Sequence, residues 1–185
     1  MIGRTRLVLA AALVVCTGAL AFGPQSLVSA KQSSRSATAA KELTAALDAA
    51  KLDSIAAADP SDPQGFAAAL YLTGSQLLVV SAKYAAPSLL VAKIKSKEYR
   101  DVYIDLSSAS VAGSKVFIID QNCDGLVPKP GENAPDSWEA DKLSVSFDGE
   151  WKKAKMSEDD YMKAYAQADE RYTKIIALLT SQAKQ

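Results

Sequence analysis

The chain has 185 residues, 21 Lys and Arg against 21 Asp and Glu, and no histidine. Without an imidazole, Ser-His-Asp and Cys-His nucleophile systems and histidine-ligated zinc are excluded, and any proton transfer falls to Asp, Glu, Lys or Tyr. The charge is balanced, so there is no basic excess to hold a phosphate backbone, and nucleic acid is not an expected partner.

Arg4 and Arg6 open the chain, and Leu7 to Phe22 follow without a charge. Gly23-Pro24 breaks that run, and Val28-Ser29-Ala30 precede Lys31. A positive start, an apolar middle and small residues at −3 and −1 are the layout a signal peptidase reads. The apolar run is shorter than the roughly 20 residues needed to cross a bilayer. Residues 1–30 therefore read as a secretory signal removed after Ala30, with Ala19-Leu20-Ala21 as an alternative cleavage site. Val15 stands before Cys16, where a lipidation signal has a small residue, so Cys16 reads as part of a discarded segment. Cleavage removes Arg4 and Arg6 and leaves 19 basic against 21 acidic residues, a net of −2. The mature chain is expected in the periplasm or medium, with no stable membrane insertion. It keeps Cys123 alone and so has no internal disulfide.

Residues 31–37 are Ser-rich and polar and read as a flexible tether, and 38–185 as one domain. Thr38 with Glu42 suits a helix start. Leu43, Ala46, Leu47 and Ala50 then share a face, and the helix is expected to end before Asp59-Pro60. Asp59 to Gly65 is a turn-rich connector. Phe66–Thr73 and Gln76–Lys83 are two apolar runs joined by Gly74-Ser75, a type II′ hairpin signal. Their near-continuous apolar character predicts strands covered on both faces.

Pro87 opens a helix carrying Leu90, Val91, Ile94 and Glu98, with a strand over Leu89–Ile94 as the competing assignment. Val102, Ile104 and Leu106 alternate as a half-buried strand, Ser107 to Ser114 form a loop, and Lys115–Asp120 form another strand. Residues 121–141 hold three prolines and read as a long irregular connection. Leu143, Val145 and Phe147 alternate, and Asp148-Gly149 turns the chain into a short strand through Trp151. Ser157 with Asp160 caps a long final helix. Its stripe is Tyr161, Tyr165, Ala168, Tyr172, Ile175, Ile176 and Leu179. Six strands rich in hairpins and three helices make this an α+β chain with a mainly antiparallel sheet.

Asp120, Asn122 and Asp124, followed by Gly125, match the first half of a calcium loop, with oxygen side chains at alternate positions and a glycine for the sharp turn. The twelfth position is Gly131, and Glu132 comes one residue late. The competing reading is a strand-end turn, where Asp, Asn and Gly gather for backbone reasons. Lys83, Tyr84, Lys93, Lys95, Lys97, Tyr99, Arg100 and Tyr103 form a basic and aromatic cluster. It suits a small anionic ligand such as a phosphate, or else a solvated helix face with tyrosines at the core edge. Glu158, Asp159 and Asp160 read as helix-start electrostatics. Ser75 has no nucleophile context. No catalytic residue is assigned.

The run Gln76-Leu77-Leu78-Val79-Val80-Ser81-Ala82-Lys83-Tyr84, then Lys97-Glu98-Tyr99-Arg100-Asp101-Val102-Tyr103, resembles the FMN-binding split barrels of pyridoxamine-phosphate-oxidase-like proteins. The resemblance extends over about residues 40–180 and is a pattern of elements. It is similar to exported members whose function is unassigned. It implies a six-stranded split-barrel-like sheet, a homodimer, and a flavin phosphate held by Ser81, Lys83 and Arg100. The leading expectation is an exported domain that binds a small ligand or is non-catalytic. An FMN-dependent oxidoreductase is an alternative, and so is an envelope interaction module using 121–141.

Overall fold

Alternation along the strands sorts the apolar residues into two buried layers. Ala67, Ala69, Leu77 and Val79 belong to one core cluster, and Phe66, Ala68, Val80 and Ala82 to a second. A sheet with both faces apolar must be covered on both faces, and it is. The computed structural model describes residues 25–99, 111–127, 131, 133–140 and 143–185. The six strands are β1 (Ser54–Ala58), β2 (Gly65–Leu72), β3 (Gln76–Tyr84), β4 (Val111–Gln121), β5 (Ser137–Ala140) and β6 (Leu143–Ser146). They pair antiparallel in chain order, an open meander with β1 and β6 at its edges.

Helices α1 (Gln25–Ala50) and α3 (Glu158–Ala183) cover one face, and α2 (Pro87–Lys95) covers the other through Leu90 and Ile94. Helix α3 crosses the sheet diagonally. Near its start the Tyr161 hydroxyl lies beside Ser146 of β6, and at its end Ala183 lies beside β1. The Ser157 hydroxyl accepts from the Asp160 N–H at 3.2 Å and donates to its carboxylate, as the capping pattern requires. The whole expected stripe from Tyr161 to Leu179 is buried.

The α+β class, the three helices given above and the antiparallel sheet among the described residues agree with the sequence reading, but several boundaries do not. Residues 31–37 lie inside α1, which starts well before Thr38. Helix α1 stops at Ala50 because Lys51 turns left-handed (φ 55°) and Leu52 N–H donates to Leu47 C=O at 2.9 Å. This closure is normally marked by glycine, and here lysine provides it. The residues after it form β1, not more helix. Helix α2 ends the same way at Lys97 (φ 66°).

The β2–β3 turn also differs. Ser75 N–H donates to Leu72 C=O, and Gly74 (φ 70°) sits at the second central position, as in a type II turn. Within 121–141 the chain forms β5, and β5 rather than the Trp151 segment is the hairpin partner of β6. The expected strand Val102–Leu106 lies outside the described residues.

Candidate functional site

Two places hold the residues that the sequence singled out. The first is the connection from β4 to β5. Asp120 of β4 and Asp136, the residue before β5, adjoin the Ile119–Ser137 pair, and they are 0% and 2% exposed. With Asp124, their carboxylates lie within 4.8 Å of one another. Asp120 accepts from the Asp124 and Gly125 N–H groups at 3.1 and 3.0 Å and from the Tyr172 hydroxyl at 2.5 Å. Asp136 accepts from Gln121 N–H at 2.9 Å and Val127 N–H at 2.8 Å. Both carboxylates are thus spent on holding the backbone of the loop.

The loop is also fixed to α1. Gly125 has φ 87°, and a Cβ there would lie 2.4 Å from the Ala37 nitrogen. Leu126 N–H donates to the Ser36 hydroxyl, and its C=O accepts from Tyr165. The glycine that resembles a calcium-loop glycine is therefore required by backbone conformation and by the close approach of a helix. Asn122 and Cys123 both sit at positive φ, and Asn122 N–H donates to Ser75 C=O. The structure joins Asp120 and Asp124 and adds Asp136, which sequence reasoning missed because it lies far along the chain. Glu132 lies outside the described residues. Three carboxylates are a plausible hard-cation donor set by type, but every oxygen of Asp120 and Asp136 already accepts a hydrogen bond from the loop or α3. The arrangement fits a strand-end scaffold.

Burial sets the electrostatics. It pushes Asp120 up to about 6, opposed by the Tyr172 hydroxyl, and Asp136 up to about 8, opposed by Val127 N–H. Burial and the neighbouring aspartates push the Cys123 thiol to about 11, so it stays protonated and unreactive.

The second place is a cleft of about 440 Å³ between the β1–β2 loop, the end of β3 and α3. Ser81 and Lys83 point to the same face as Leu77 and Val79, and both line it. Ala67, Ile175 and Leu178 form its apolar floor. The loop is rigidly built. Asp59 accepts from the N–H and hydroxyl of Ser61, Asp62 accepts from Gln64 N–H, and a Cβ on Gly65 would lie 2.6 Å from the Asp59 Cβ. Lys83 pairs with Asp62 at 2.7 Å, and this lysine holds the Asp62 carboxyl below its usual range.

On the opposite wall stand Arg171 and Lys174. Lys174 pairs with Glu170 at 2.6 Å, whereas Arg171 has no ion-pair partner among the described residues. Sequence reasoning missed Arg171. Its signal was the spacing 171, 174, 175 and 178, one flank of a helix beside the buried stripe. Arg100, the third expected phosphate ligand, lies outside the described residues. The basic cluster is divided, with Lys83 at this cleft and Lys95 and Lys97 elsewhere.

No family model, curated protein or solved structure matches the chain. No helix among the described residues is long and apolar enough to cross a membrane.

Proposed function

We propose that the chain is an exported, non-catalytic domain that binds a small anionic ligand in the cleft at Ser81, Lys83 and Arg171. The observation that carries this reading is Arg171, a guanidinium unpaired among the described residues, facing an uncommitted serine hydroxyl across a cleft of about 440 Å³. That volume falls in the range of small-molecule sites, and the mix of apolar floor and few polar groups is their usual make-up. A planar guanidinium suits a phosphate or carboxylate in two-point contact. Lys83 and Lys174 are each paired with a carboxylate, Asp62 and Glu170, so Arg171 is the lining cation open to an anion.

An FMN-dependent oxidoreductase is the second reading, favoured by Ser81 and Lys83 lining one cleft, as the split-barrel resemblance implies. The segment 121–141 is a weaker candidate for partner contact, because Asp136 is buried, Asp124 is half-buried and Ser137–Ala140 are taken up in β5. The two readings separate by an absorption spectrum of the protein purified from the periplasm, before and after incubation with FMN. A yellow protein supports the oxidoreductase. A colourless one whose melting temperature still rises with phosphate supports the binding module. No rise with any anion removes both. The N-terminus of the same sample, read by mass spectrometry, tests export: Lys31 first is expected, and an intact Met1 in the cytosol overturns it.

A further inference from the structure

Lys95 and Lys97 meet Lys51 around a second cavity, separate from the cleft above and about 330 Å³ in volume. It lies between the start of β1, the end of α2 and the last turn of α3. Ile55, Ala56, Ile94 and Ala183 make an apolar interior, and Leu52, 41% exposed, stands at its mouth. The three lysines come from two helix ends: Lys51 just past α1, Lys95 in the last turn of α2 and Lys97 just past it. Asp53 is the one carboxylate side chain among the lining residues, and it is engaged by Lys97 at 3.4 Å and the Tyr99 hydroxyl at 2.8 Å. Lys51 and Lys95 have no ion-pair partner among the described residues.

Lysines at helix ends complement the helix dipole, and that accounts for one cation at each end. It does not account for an apolar cavity held open between them. Its apolar lining stays in contact with water unless an apolar group covers it, and covering it is favourable. A neutral apolar occupant would leave the cations unused, and a small hydrophilic anion would leave the interior empty. We infer that the cavity takes an amphipathic anion, a free medium-chain carboxylate with its alkyl chain on Ile55, Ile94 and Ala183 and its head at Lys51 and Lys95.

The test is calorimetric titration of the whole protein with decanoate, octanoate and decanol, below their micelle concentrations. Decanoate should bind at one site. Octanoate should bind more weakly by about fourfold for each methylene lost. Lys51→Ala with Lys95→Ala should weaken decanoate at least about threefold and leave decanol unchanged. Ala183→Trp, at a half-exposed position on the last turn of α3, should block decanoate while the protein stays folded. Arg171→Ala should bind decanoate like the wild type, since that residue belongs to the other cleft. The proposal fails if decanoate does not bind, if the lysine variant binds it unchanged, or if Arg171→Ala abolishes binding.

Discussion

Asp120 of β4 and Asp136, the residue before β5, hold their carboxylates close together, both buried, with no cation paired to either among the described residues. Each carboxylate accepts backbone N–H groups from the loop that joins their strands, so together they tie down residues 121–127. Burial raises both carboxyls, and the neighbouring charge of Asp120 adds to the rise at Asp136.

Stability should therefore fall as pH rises through the neutral range. A raised folded-state value means that the stabilisation is complete below the unfolded value near 3.8 and is lost on passing about 6 for Asp120 and about 8 for Asp136. Asp169, also raised by burial, acts in the same direction. The lowered carboxyls Asp53, Asp62, Asp160 and Glu170 oppose this only below their own ordinary range. The melting temperature at pH 5 should exceed that at pH 8 by about 10 °C or more, for a difference of about 5 kcal/mol. A flat profile from pH 5 to 8 would show that the pair is not buried as described.

Tyr172→Phe removes the hydroxyl that donates to Asp120. The loss should be about 2 kcal/mol, because a buried charged acceptor loses a donor. The hydroxyl favours the ionised carboxylate, so the penalty should be larger at pH 8 than at pH 5. Chemical denaturation at both values checks the sign.

Two glycines at positive φ should respond unequally to alanine. Gly74→Ala meets nothing within 4 Å and pays only the left-handed conformation, about 1 kcal/mol. Gly125→Ala pays that and also drives a methyl into the α1 backbone at Ala37, so more than about 3 kcal/mol is expected. Equal effects in urea unfolding would mean that α1 does not press on the loop.

The scaffold reading of Asp120, Asp124 and Asp136 also makes a statement about metals. Adding calcium or a chelator should leave the melting temperature unchanged. A rise with calcium, removed by Asp120→Asn, would restore the calcium-loop reading.

Much of the fold was legible where a pattern had one physical meaning. The stripe of α3 with Ser157, the β2 and β3 runs, and Pro87 at the start of α2 all read correctly. The end of α1 did not, because Lys51 occupies the left-handed position where glycine would have announced the stop. Strand β1 was hidden by its own composition, since Ser54–Ala58 is mostly alanine and continues a helical pattern. Strand β5 was masked by nearby prolines. At the candidate site, Ser81 and Lys83 were named through the split-barrel resemblance, and their alternation on β3 is what brings both to one cleft. Arg171 and Asp136 depend on which elements the fold brings together, which spacing within one segment does not reveal.

The binding cleft is tested most directly by calorimetric titration with inorganic phosphate and FMN of the wild type, Ser81→Ala and Arg171→Ala. One saturable site in the wild type, weakened about tenfold or more in Arg171→Ala without loss of melting temperature, is the expected result. Equal binding by wild type and Arg171→Ala, or no binding of either ligand by the wild type, would contradict it.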